Sequence, residues 1–379
     1  MAAPRPPVYK GRWLAPGRGA GKGRPRPPGG STLDDLFLPR DRFGALFQAL
    51  QDRGYGILGP RERDGAIGME AVSRPEDLCF GLRDRQAPGE YRLEEGTGRY
   101  FGWANGPMAL KPLTFATREV LWRSFRGQEG LTFEEAGPEA EALAVIGVRA
   151  CDLAGLALQD QHFLEGEADP FYRARRDRML LVAVNCTHPA DTCFCASTGD
   201  GPAVTGGHDL LLSELDEGFL VAAGSAAGAA ILSDLPAVAA TAEQGQRAAA
   251  ETRAAAEAQH RGLPSRNLRD FLFARTTHPR WEEVAERCLS CGNCTSVCPT
   301  CFCHSLETVP DLEGQRAERV RQWDSCFTSG HSYIHGMVIR ATTANRYRQW
   351  LTHKLGGWHD QFGRSGCVGC GRCITWCPT

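Results

Sequence analysis

The run CLSCGNCTSVCP, from Cys288 to Pro299, recurs in its spacing as CVGCGRCITWCP, from Cys367 to Pro378. Both read C-x2-C-x2-C-x3-C-P, the spacing of bacterial ferredoxins. A [4Fe–4S] cube has four iron corners that each want one thiolate, and three cysteines two residues apart can wrap one cube in a tight loop. Such a loop aims backbone N–H groups at the sulfurs, which favours an anionic cluster. The fourth cysteine leads away, and the proline behind it turns the chain and removes a donor. In two-cluster ferredoxins that fourth cysteine ligates the other cluster. By this rule one cube takes Cys288, Cys291, Cys294 and Cys377, and the other takes Cys367, Cys370, Cys373 and Cys298. Gly292, Gly369 and Gly371 fit the need for side-chain-free approach around a cube. Structural zinc also uses C-x2-C pairs. It needs two such pairs per ion, with neither a third cysteine at the same step nor a C-P ending, so two full matches favour iron–sulfur.

Sixteen cysteines are many for 379 residues, and they cluster. Seven lie between Cys288 and Cys326, four between Cys367 and Cys377, and Cys151, Cys186, Cys193 and Cys195 form a third set; Cys79 stands alone. No apolar stretch at the N-terminus reads as an export signal, so a reducing cytoplasm is the expected setting. There, clustered thiols read as metal ligands or redox groups rather than disulfides. Cys151 and Cys186 each follow an apolar strand, Ala144–Val148 and Met179–Val184. In a parallel unit both sit at the carboxyl edge of the sheet, where α/β proteins place ligands. With Cys193 and Cys195 they make four thiols for a third cubane, for zinc, or for a set of buried unligated cysteines; the spacing does not choose. Cys301, Cys303 and Cys326 have no assignment from spacing. His304, His331 and His335 lie near them and read as packing residues.

Residues 1–32 are Pro- and Gly-rich, basic and without acidic side chains, too poor in apolar surface to offset ordering entropy, so disorder is expected. Residues 33–265 read as an N-terminal α/β or α+β domain. Helical spacing runs over Asp41–Arg53, strand-like pieces over Tyr91–Leu93 and Tyr100–Trp103, and a helix over Leu153–Leu164 joins the two apolar strands as a parallel pair. Leu210–Leu215 and Phe219–Ala223 read as a further strand pair, and Ala237–Ala258 as a helix by propensity. Leu263-Pro264-Ser265 marks the expected boundary. Residues 266–379 are then a mainly α-helical dicluster ferredoxin domain with a helical insertion over 304–366, including Val320–Trp323, Tyr333–Val338 and Tyr347–Trp358.

A net charge of −2 gives no electrostatic reason to expect nucleic acid. No apolar run is long enough for a membrane span. No Rossmann glycine motif or phosphate loop follows a strand, so the chain carries no nucleotide fingerprint of its own. Lys10, Lys22, Lys111 and Lys354 are the only lysines among 43 basic residues.

The stretches GVRACDLAGL (Gly147–Leu156), DPFYRARR (Asp169–Arg176), NCTHPADTCFC (Asn185–Cys195), CLSCGNCTSVCPTCFC (Cys288–Cys303), RQWDSCF (Arg321–Phe327) and RYRQWLTHKL (Arg346–Leu355) resemble the dicluster iron–sulfur beta subunit of cytosolic sulfhydrogenases, soluble nickel–iron hydrogenases. That family is similar to the iron–sulfur subunit of anaerobic sulfite reductase. The resemblance covers the chain from Leu33 onward. It implies a non-catalytic subunit relaying electrons between a flavin- and NAD(P)H-handling partner and a catalytic nickel–iron hydrogenase or sirohaem sulfite reductase partner. It also implies the CFC-containing loop of the first domain as a shared feature. Family members are expected to continue past Thr379, where this sequence stops. Two other classes compete: a self-sufficient iron–sulfur oxidoreductase whose first domain binds a flavin or small substrate, and a purely structural cluster protein. Arg287, Arg364 and Arg372 are candidates for tuning the clusters, although such arginines are usually solvated surface.

Overall fold

The runs LAVIGV and MLLVAV are apolar at every position, as strands covered on both faces must be. They form the parallel centre of an eight-stranded sheet in the computed structural model, which describes residues 36–379 except 109 and 139. The expected disordered segment 1–32 lies outside the described residues. Across the sheet the strands run Val238–Ala239, Leu36–Pro39, Gly218–Ala223, Leu210–Leu215, Met179–Val184, Leu143–Val148, Gly56–Arg63 and Ala66–Ala71. The fourth to seventh of these, from Leu210–Leu215 to Gly56–Arg63, pair in parallel, and the flanks pair antiparallel. Helix Ala150–Leu164 makes the crossover between the central strands.

Each sheet face has its own core. Phe43, Leu46, Phe47 and Leu50, from helix Gly44–Gln51 and the residue before it, cover Ile146, Val182, Leu212 and Phe219. Leu153, Leu156, Phe163 and Tyr172 cover Val145, Val148, Leu181 and Ala183 on the other face. The carboxyl ends of the central strands therefore open into a rim between these layers, and Cys151 and Cys186 follow there.

A second sheet runs across the expected boundary near residue 265. Its order is His304–Pro310, Arg316–Trp323, Arg118–Gly127 and Gly130–Glu135, all antiparallel. The segment after the first cysteine motif thus returns to pair with a strand from the first half of the chain. Arg321, almost fully buried, bridges Glu119 on the neighbouring strand and Asp169 at the start of helix Pro170–Arg176. Val320–Trp323, expected helical, is strand because this pairing and ion bridge override the local propensity. Tyr333–Val338 is likewise a two-stranded turn, Tyr333–Ile334 against Met337–Val338. The helical reading holds only further on, in Thr343–Thr352, the π-helical turn His353–Gly357 and Trp358–Phe362. Tyr100–Trp103 joins no strand; its backbone is spent on Glu214 and Arg149 instead. The helix expected over Ala237–Ala258 is shortened to Ala242–Glu257, capped by Thr241, after the edge strand Val238–Ala239. The architecture is mixed sheet and helix throughout. Among the described residues no helix is long and apolar enough to cross a membrane.

Candidate iron–sulfur centres

Both cysteine motifs fold as a loop followed by one short helical turn, Asn293–Ser296 in the first and Arg372–Thr375 in the second. Gly292, Gly369 and Gly371 all take positive φ, at 75°, 64° and 78°. A Cβ on Gly369 would lie 2.5 Å from the Phe194 carbonyl oxygen, and one on Gly371 2.6 Å from Thr192. The second motif is therefore seated directly on the loop Asn185–Cys195, and Phe194 N–H donates to Gly369 O at 2.8 Å.

The thiols gather across the two motifs. Burial pushes Cys294 up to about 12, and the thiols that add to this are Cys298, Cys288, Cys291 and Cys377. Burial also raises Cys373, with Cys367, Cys370, Cys298 and Cys294 adding to it. Cys377 thus bears on the first motif, while Cys298 bears on both. Cys291 is exposed, whereas Cys370 is buried and Cys373 half-buried.

Four like-charged thiolates need opposing charge, and the surroundings supply it. Lys354 is buried beside Cys298, Cys301 and Cys367 and donates to Thr300 Oγ1 at 2.8 Å. Burial alone would lower its pKa; the neighbouring cysteines, Cys298 first, outweigh that and hold it charged. Lys111 is buried over the Trp323 ring and donates to the Thr295 and Ser296 carbonyls at 3.1 and 2.7 Å. Arg372 is 1% exposed, pairs with both oxygens of Asp152 at 2.6 and 3.1 Å, and bears on Cys370 and Cys151. Arg372, a candidate for tuning the clusters, is therefore buried and not solvated surface. Arg364 pairs with Asp200, and Arg287 is exposed. The lysine signal was present in the sequence, since both described lysines of an arginine-rich chain lie here. The arginine signal was not, because burial of Arg372 depends on Asp152, 220 residues away.

Cys151, Cys186, Cys193 and Cys195 are all buried and lie together at the rim. Burial raises Cys193, with Cys186, Cys195 and Cys370 as the thiols acting on it. Cys151 is raised by burial, then by Asp152, Cys195 and Cys370. Asn105 Nδ2 donates to Cys193 Sγ at 3.7 Å and to Cys370 O at 2.9 Å, tying this set to the second motif. Gln259 Nε2 donates to Cys195 Sγ at 3.3 Å. Arg149, 1% exposed over the Trp103 ring, bears on Cys186 and has two side-chain nitrogens with no partner. A buried guanidinium with unspent donors beside the Cys186 thiol fits an anionic group. Among the described residues no three His, Cys, Asp or Glu side chains converge as on a single ion.

Two family models, each described as a 4Fe–4S dicluster domain, match residues 287–379 and 252–302. The chain is 34% identical over 242 residues to sulfhydrogenase 2 subunit beta of Pyrococcus furiosus, covering 62% of this chain and 70% of that relative. No solved structure matches it.

Proposed function

Since the chain belongs to the family of sulfhydrogenase beta subunits and is an iron–sulfur electron-transfer subunit with two [4Fe–4S] clusters, we propose that it relays electrons between a flavin- and NAD(P)H-handling partner and a catalytic one, in the cytoplasm. The catalytic partner is a nickel–iron hydrogenase or a sirohaem sulfite reductase. Bound cubes supply one-electron storage at potentials set by charge, hydrogen bonds to sulfur and burial. The chain's own residues provide the rest. Cys288, Cys291, Cys294 and Cys377 hold one cube, and Cys367, Cys370, Cys373 and Cys298 the other. The observation that supports this is that Cys377 bears on Cys294 of the first motif, while Cys298 lies between the motifs and bears on both Cys294 and Cys373. Exchange of the fourth ligand keeps the two centres adjacent, as serial transfer requires. Cys151, Cys186, Cys193 and Cys195 hold a third cube next to Cys370, balanced by Arg149. The exposed Cys291 marks one end of the route and the rim at Cys186 the other.

The self-sufficient enzyme reading finds a cavity of about 720 Å³, lined by Arg40, Phe47, Ser73, Arg74 and Tyr100 among others. No cysteine lines it. A flavin there would have no thiol neighbour through which to pass electrons.

The test is anaerobic purification of the complex, identification of its partners, and a count of iron and acid-labile sulfide per copy of this chain. About twelve irons supports three cubes, since each cube holds four, and about eight restricts the chain to two. Zinc in place of iron contradicts the reading.

A further inference from the structure

Beside the first motif lies a cavity of about 170 Å³, lined by Lys111, Cys291, Cys301, Cys303, Trp323 and Asp324 among others. It is smaller than the pockets that take nucleotide-sized ligands, which begin near roughly 300 Å³. Cys303 ends the CPTCFC run, and the carbonyl of Cys303 accepts from Asp324 N–H at 2.9 Å. This bond closes the hairpin 304–323 at its open end and brings Cys326, two residues further on, against Cys303. The two thiols are in side-chain contact, and the Cys303 thiol also contacts His331. His331 Nδ1 is 3.1 Å from Asp324 Oδ2. Asp324 is fixed in turn by Ser325 N–H at 2.7 Å and by the Thr328 hydroxyl. The arrangement is thiol, imidazole and orienting carboxylate, with a second thiol in reach of the first.

We propose that Cys303 and Cys326 form a redox-active dithiol/disulfide that exchanges two electrons with the iron–sulfur centre at Cys291. This rests on the electron-transfer reading of that centre. On reduction the disulfide takes up two electrons, arriving singly through the adjacent centre, together with two protons. The S–S bond breaks, and two thiols result. On oxidation the Cys303 thiol gives its proton to His331 Nε2, the ring nitrogen not turned to Asp324. The S–S bond forms, both electrons return singly to the centre, and the second proton leaves from Cys326. The dithiol thereby links one-electron carriers to a two-electron store.

Two further observations support it. Contact with Cys326, then with His331, holds Cys303 down against its burial, while the same contact and burial hold Cys326 up. A thiol that gives up its proton readily, facing one that keeps its own, is the pairing from which disulfide exchange proceeds. Sulfurs in mutual contact are also unsuited to separate corners of one cube, each of which takes its own thiolate.

The test poises the anaerobically purified complex at a series of potentials, quenches it with an alkylating reagent, and maps labelled cysteines by mass. Metal content and cluster spectra are measured on the same samples. The expected result is a peptide pair linked through Cys303 and Cys326 at oxidising poise. Labelling of both should rise at least tenfold on reduction, following a two-electron curve. Cys326→Ala and Cys303→Ser should abolish the linked pair while iron content and cluster spectra stay as in the parent. His331→Asn should keep the pair but slow its formation. Free thiols at every potential beside intact cluster spectra would overturn the inference alone. Iron or zinc lost in both cysteine variants would overturn it in favour of a metal site. Absence of reducible clusters would instead overturn the electron-transfer reading beneath it.

Discussion

At the scale of single residues, Gly369 bears the tightest constraint. Its backbone has φ 64°, and its missing side chain is the space occupied by Phe194 O and the Cys195 backbone. Gly369→Ala should destabilise the loaded chain by about 2–4 kcal/mol, combining strain with a backbone collision. The denaturation midpoint of the holoprotein reads this directly. A second residue-scale case is His162, stacked on Phe302 at 3.5 Å between ring centroids. Burial, then His304, pulls its pKa down to about 4 from 6.5. The folded state therefore refuses a proton that the unfolded state accepts between those values. Stability is fully present above pH 6.5 and is lost as the pH falls towards 4. His162→Phe should flatten the fall in melting temperature across that window; an unchanged slope would show that other groups cause it. Cysteine spacing made the ligand candidates legible at this scale. The counter-charges were less so, because Arg149 and Arg372 declare their roles only through distant partners such as Trp103 and Asp152.

At the scale of elements, the apolar runs around Ile146 and Val182 identified the parallel strands, because strands buried on both faces leave a composition signal. The hairpin 304–323 left none. Its sequence RAERVRQW reads as a helix former, and only the partner strand Arg118–Gly127 and the Arg321 bridge make it extended. Arg321→Leu tests that account. It leaves Asp169 without its cation and Glu119 with Arg175 alone, and loss of a partner in a buried pair costs up to about 3–5 kcal/mol. Chemical denaturation should show this loss, and hydrogen exchange should rise first in residues 304–323. A cost below about 1 kcal/mol would mean that strand pairing alone fixes the hairpin.

At the scale of the molecule, the two halves of the sequence meet at the centres rather than standing apart. The second motif sits on the rim of the first sheet through Phe194, Asn105 and Arg372. The first is flanked by Lys111 from the other half of the chain. A buried ammonium beside a reducible centre stabilises the more negative, reduced form through its charge. Lys354→Met should therefore shift the midpoint of the cube at Cys298 negative by on the order of tens of millivolts, with iron content retained. An unshifted potential would assign Lys354 to packing. The central claim is that the chain conducts electrons through cubes held by ligands shared between its two motifs. Electron paramagnetic resonance of Cys377→Ser and of the parent, during one anaerobic reductive titration, tests it most directly. The parent should give two magnetically interacting one-electron [4Fe–4S] signals from the two motifs. In Cys377→Ser the signal of the centre at Cys288, Cys291 and Cys294 should be lost or altered, with that at Cys367, Cys370 and Cys373 retained. Loss of the second signal instead, or a parent with no reducible cluster, would contradict the account.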